Sequence, residues 1–86
     1  MDTKETIRHY IAQNMLFSET FGHADDASFL EQGIIDSIGF MELVSFVQKE
    51  YGIEVGPEEL VRENFDSVNK LAAFIGTKQR AAQRAA

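Results

Sequence analysis

Few side chains in this sequence are reactive, and those few restrict the chemistry it can perform. There is no cysteine, hence no thiolate nucleophile, disulfide or thiolate metal site. Histidine occurs only at His9 and His23. The remaining candidate is Ser37, which follows Asp36 in "EQGIIDSIGF". A nucleophilic triad would need Ser37 beside an imidazole base that a carboxylate orients. His9 falls on the outer face of a helical segment, and His23 stands in a loop with no orienting pattern around it. The cluster His23-Ala24-Asp25-Asp26 could meet a cation, but it lacks the ligand pattern and glycine of a calcium loop. A solvated loop is the better reading. No glycine-rich phosphate loop is present. Nothing in the sequence points to an enzyme.

Ser37 therefore has two readings. Serine and aspartate are favoured at helix starts because their oxygens accept hydrogen bonds from free backbone N–H groups. An Asp-Ser pair before a helix is thus uninformative by itself. Its surroundings are more specific. The free N–H groups and dipole of a helix N-terminus stabilise an anionic phosphodiester. Ile38 and Met41 lie within one turn of Ser37 and could seat a modifying enzyme. Glu42 and Asp36 would give that patch an acidic edge.

Four helical segments must position these residues. The first is expected from Thr3 to Phe17, with Asp2 and Glu5 as a capping pair. Ile7, Tyr10, Ile11 and Met15 form its buried stripe. A long loop, Ser18 to Asp36, follows, with Phe29, Leu30 and Ile34 as expected anchors; loops of this length are often functional. The second helix runs from Ser37 to Tyr51 and ends at Gly52. Phe40, Leu43, Val44, Val47 and Tyr51 share an arc of about 100°, a normal buried stripe, whereas Ile38 and Met41 fall outside it. Pro57 opens a short third helix ending near Asn64. Asp66 or Ser67 caps the fourth, which turns Val68, Leu71, Ala72 and Ile75 to one face. Ile53 and Val55 alternate like a strand but are too short to build a sheet. The expected fold is all-α: a four-helix bundle with a short third helix and a long loop between helices 1 and 2. It occupies residues 1–77, and residues 78–86 form a tail expected to fray.

Eighty-six residues make one small domain, with little room for a deep substrate cavity. The N-terminus has no signal-peptide pattern, and no stretch approaches the roughly 20 apolar residues of a membrane span. A cytoplasmic protein is expected. All 14 acidic residues lie between positions 2 and 66. From Glu19 to Asp66, 12 acids face only Lys49 and Arg62, a net of −10. That segment repels phosphate backbones, so nucleic acid is not an expected partner.

The stretch "GIIDSIGFMELVSFVQKEYGIEV" resembles the modification region of acyl carrier proteins and of the related aminoacyl and peptidyl carriers. "EELVRENFDSVNKLAAFI" is similar to the family's third and fourth helices, so the resemblance covers most of residues 3–76. Gly33, four positions before the serine, and the Glu42-Leu43 pair strengthen it. The resemblance implies a carrier rather than an enzyme. Ser37 would receive 4′-phosphopantetheine from coenzyme A, and the arm's thiol would hold cargo as a thioester. Asp36 would help the phosphopantetheinyl transferase and its metal engage the serine. Ile38, Met41 and Glu42 would face partner enzymes.

Those implied partners are the transferase, an acyl- or aminoacyl-loading ligase and downstream biosynthetic enzymes, all acting on a monomer. The cargo expected first is an acyl group of fatty-acid, polyketide or other secondary biosynthesis; the alternative is a D-alanyl or peptidyl carrier. A non-covalent helical interaction module is a third reading. Gly39 and Phe40 depart from the polar residues usual in fatty-acid carriers, and "DSIG" is similar to D-alanyl carriers. Phe29, Phe40, Tyr51, Phe65 and Phe74 compete for one small core, which favours a short or exposed cargo over a buried chain.

Overall fold

The computed structural model describes residues 2–85, and the side-chain surroundings of residues 2–82. Among the described residues, four α-helices order the chain: α1 (Thr3–Asn14), α2 (Ser37–Tyr51), α3 (Arg62–Phe65) and α4 (Val68–Ala85). A 3-10 turn, Pro57–Glu59, precedes α3. No strand occurs among the described residues, and Ile53 simply buries its side chain. Periodicity explains the bundle. Ile7 and Ile11 of α1, Leu43 and Val47 of α2, and Val68, Leu71 and Ile75 of α4 recur at helical spacing and are fully buried. Phe65 of α3 lies at the centre, edge-on to Phe40 at 5.5 Å and tilted against Phe74 at 5.1 Å. Tyr10 and Phe46 stack at 3.8 Å and join α1 to α2. Tyr10 and Met15 are only half-buried, at the edge of the core.

The helix ends explain most differences from expectation. Asp2 caps α1 by accepting the Glu5 N–H at 2.8 Å, as the capping pair predicts. The helix nevertheless stops at Asn14 rather than Phe17. The chain turns back there: Ser18 N–H bonds the Ala12 carbonyl at 2.8 Å, and Phe17 adopts a positive φ of 52°. The third segment is not one helix. Leu60 and Val61 leave helical geometry, because the turn closes on itself. Glu59 accepts the Gly56 N–H, and the Asn64 amide takes the Glu59 carbonyl. Ser67, not Asp66, caps α4 by accepting the Lys70 N–H at 3.0 Å.

Helix α4 also runs through the residues expected to fray, as far as Ala85. Lys78 is tied to the bundle by both Glu59 oxygens, at 3.0 and 3.2 Å. Beyond it, the alanine-rich sequence has high helix propensity.

The long loop is stapled rather than slack. Phe29 and Ile34 anchor it in the core, whereas Leu30, expected beside them, is exposed. Asp66, only 2% exposed, takes hydrogen bonds from the Ser28 hydroxyl (2.6 Å), the Leu30 N–H (3.1 Å) and the Arg62 guanidinium (2.9 Å). Burial alone would raise the pKa of Asp66, but Ser28, Leu30 and Arg62 outweigh it and hold the carboxyl below its ordinary value. Upstream, Asp25 pairs with Arg8 through two bonds of 2.7 and 2.6 Å. The acid once considered for a cation is thus committed to a guanidinium.

Candidate functional site

Ser37 is held where two opposed preferences meet. Ile34 and Ile35 are drawn into the core, and Gly33 makes the preceding turn at a φ of 67°. Asp36 then sits in extended geometry as the N-cap of α2; its Oδ1 accepts the Gly39 N–H at 2.7 Å. Ser37 is consequently the first helical residue and not the cap. Its side chain is exposed, and its hydroxyl makes no hydrogen bond to any described residue. The separation matters chemically. A capping serine has its oxygen turned toward backbone N–H groups, whereas this oxygen is free to react.

The local backbone suits an anion. Of the first four N–H groups of α2, Gly39 is taken by Asp36 Oδ1 and Phe40 by the Asp36 carbonyl at 2.8 Å. Those of Ser37 and Ile38 have no protein acceptor among the described residues. They lie in the first turn of α2, at the positive end of the helix dipole. Neither histidine reaches that hydroxyl by a hydrogen bond. His23 instead lies edge-on to Phe21 at 5.3 Å, and His9 is exposed on α1. Among the described residues, no group of three or more metal-ligating side chains converges.

Ile38 is 72% exposed and Met41 is 53% exposed, and Glu42 is exposed beside them. The helical phase read from sequence therefore puts all three outside the core. Glu42 makes no ion pair with a described residue. Its charge adds to burial in raising the pKa of Tyr10. Three residues that sequence reasoning did not place here also border the site. Met15, Leu16 and Phe17 wall an open groove against Asp36, Ile38, Gly39 and Glu42. The only sequence signal was their excess apolarity at a helix end; the turn at Phe17 that folds them back was not readable. Gly39 is explained by the same approach. A Cβ there would lie 3.0 Å from Ile35 Cγ2, 3.3 Å from Asp36 Oδ1 and 3.9 Å from Met15 Sδ.

Comparison with known families shows which family the chain belongs to. The family described as "Phosphopantetheine attachment site" matches residues 7–75, from α1 to α4. The chain belongs to that family. It is a carrier protein, and the family's cofactor is covalently attached 4′-phosphopantetheine. Among curated relatives, the carrier is 35% identical over 75 residues to a D-alanyl carrier protein of Streptococcus suis, across 87% of this chain and 92% of the relative. It is 31% identical over 81 residues to a D-alanyl carrier protein of Streptococcus equi subsp. zooepidemicus, across 94% and 100%. D-alanyl carrier protein 1 of Lactiplantibacillus plantarum is 32% identical over 78 residues, across 91% and 95%.

The residues present fit the cofactor. An exposed hydroxyl can form the phosphodiester, and two N–H groups of the same helix turn have no acceptor among the described residues, which suits an anion. No helix of the described residues is long and apolar enough to cross a membrane.

Proposed function

We propose that Ser37 is the attachment residue and that the carrier presents a small aminoacyl group, of the D-alanyl type, to its partner enzymes. The observation that carries the attachment is the division of labour at the start of α2: Asp36 caps, and the Ser37 hydroxyl is exposed and unbonded. Ser37 Oγ acts as nucleophile toward the β-phosphorus of coenzyme A in the active site of a transferase. A serine–phosphorus bond forms, the pyrophosphate bond breaks, 3′,5′-ADP leaves, and the serine proton passes to a base on the transferase. Asp36 spends Oδ1 on the Gly39 N–H, which leaves Oδ2 for the transferase's divalent cation. The Ser37 and Ile38 N–H groups then hold the new phosphodiester. Once attached, the arm supplies a thiol that carries cargo as a thioester.

Exposed Ile38 and Met41 with Glu42 at their edge form the docking surface for the transferase, an aminoacyl-loading ligase and the acceptor enzyme. A patch this small and wet suits partners that must bind and release in turn. The aminoacyl cargo is supported by the names of the three relatives; none is named for fatty-acid or polyketide carriage. The site of action is the cytoplasm, where coenzyme A is available.

The experiment is intact-mass measurement after incubation with a broad-specificity phosphopantetheinyl transferase and coenzyme A. Wild type should gain one phosphopantetheine, mapped to Ser37, and Ser37→Ala should gain none. Modification that persists in Ser37→Ala, or maps to Ser28 or Ser67, overturns the assignment.

A further inference from the structure

The groove beside Ser37 has a composition that an apolar recess does not need. It is open, about 480 Å³, and lies between the end of α1 and the start of α2. Ile34 and Ile35 form its floor, Met15, Leu16 and Phe17 one wall, and Ile38 and Gly39 the other. Asp36 and Ile38, the two chain neighbours of Ser37, both line it, so anything attached to Ser37 starts at its rim. Phe17 is 86% exposed and holds a φ of 52°, a conformation that bulky residues avoid. An aromatic ring kept in water by such a backbone lacks a partner within the fold.

The charge of the groove is one-sided. Asp36 and Glu42 line it, and no lysine or arginine does. Glu42 has neither an ion pair nor a hydrogen bond to a described residue, and Asp36 uses only one of its oxygens. Apolar walls with a carboxylate rim fit a ligand with an aliphatic body and a cationic end. Aminoacyl-pantetheine has that form: methylenes and a gem-dimethyl group along the arm, and an α-ammonium on the cargo.

We infer that this groove is the resting seat of the loaded arm, with Phe17 and Ile38 covering its aliphatic part and Glu42 receiving the ammonium of the cargo. The inference rests on attachment at Ser37 and an aminoacyl cargo, as proposed above. Glu42 lies five residues beyond Ser37, about 7.5 Å along the helix axis, so a longer arm folds back within the open groove. Tethering makes weak contacts sufficient, because the arm's effective concentration beside the groove is about millimolar. Ile38 and Glu42 also belong to the docking surface. A partner that covers them displaces the arm and receives the cargo in the same step.

The test uses the full chain loaded by a transferase with coenzyme A analogues that bear an alanyl or a propionyl group in amide linkage. The two cargoes share a three-carbon acyl skeleton, and only the first carries an ammonium. Intact mass is read first; failure to attach at Ser37 strikes the attachment reading and not the groove. NMR should then show contacts from the gem-dimethyl protons of the alanyl arm to the Phe17 ring and Ile38 methyls, with a shift of the Glu42 carboxyl carbon. The propionyl arm, Glu42→Gln, or about 1 M salt should remove the carboxyl shift or weaken the contacts by about two- to five-fold. Phe17→Gly, which removes an exposed side chain, should stay folded and lose the ring-side contacts. Arm contacts absent from the groove, or identical for alanyl and propionyl arms, overturn the inference. Failure of every amino-acid ligase to charge the holo-carrier would overturn the cargo reading separately, since the NMR arms need no ligase.

Discussion

Replacing Asp66 with alanine tests whether the loop before Ser37 is held by a polar latch or by hydrophobic burial alone. Three donors lose their acceptor: the Ser28 hydroxyl, the Leu30 N–H and the Arg62 guanidinium. Arg62 is 54% exposed and turns to water, so its share is set aside. Ser28 is half-buried, and the bond from the Leu30 N–H is part-buried although the Leu30 side chain is exposed; a donor stranded in such a position costs about 1–3 kcal/mol. The sum is about 3 kcal/mol, a large fraction of the roughly 5–15 kcal/mol that stabilises a domain of this kind. Asp66→Asn keeps an acceptor for the Leu30 N–H and should lose about half as much.

Urea unfolding followed by circular dichroism measures both. The loop leads directly into Asp36, so transferase modification of Ser37 should slow in parallel. Losses below about 0.5 kcal/mol in both variants, the range of ordinary surface changes, would refute the latch and leave Phe29 and Ile34 as the sole anchors. The pH dependence follows from the lowered pKa of Asp66. A carboxyl depressed in the folded state stabilises fully above its unfolded pKa, about 3.9. That stability is lost as pH falls through the folded value. Wild type should therefore weaken below about pH 4 more steeply than Asp66→Asn, which has no proton to take up.

The cap assignment predicts that Asp36→Ala costs about 1 kcal/mol, whereas Ser37→Ala is near neutral; a larger loss from Ser37→Ala would show the serine to be the cap. Met41→Ala should change stability by no more than about 0.5 kcal/mol while slowing modification or cargo loading, as should Glu42→Lys in the kinetic assay. Destabilisation of Met41→Ala by several kcal/mol would place Met41 in the core. An octanoyl chain on the arm should leave the amide and methyl shifts of Leu43, Val47, Leu71 and Phe74 nearly unchanged, because Phe65 and its neighbours Phe40 and Phe74 fill the centre of the bundle; large shifts there would show that the chain enters.

The elements legible in the sequence were those set by periodicity and by strong end signals. Helix α2 has both: a clean apolar arc, an acid-serine start, and Gly52, which ends it at a φ of 62°. The position of Ser37 and the exposure of Ile38 and Met41 follow from that phase alone. What could not be read depended on contacts between segments distant in sequence. Asp66 looked like a cap because aspartate commonly is one. Its actual role comes from Ser28 and Leu30, 38 and 36 residues away. Lys78 looked unanchored because Glu59, which holds it, lies 19 residues upstream in another element. Phe17 looked like the end of a helix stripe, and only the folded chain shows it turned outward, on the groove beside Asp36 and Ile38.

The pairing of Asp36 with Ser37 gains a physical reason from the same geometry. Had serine been the cap, its oxygen would compete between the backbone and the incoming phosphorus, and modification would remove a helix-stabilising bond. With the cap one residue back, the Gly39 N–H would stay satisfied before and after the proposed attachment at Ser37. Under that proposal the Asp36 cap itself would not register whether the carrier is loaded. If the arm sits on Ser37 as proposed, a difference between empty and loaded carrier would come from the arm's own contacts, and the groove walled by Phe17 and edged by Glu42 is where a partner would read the cargo.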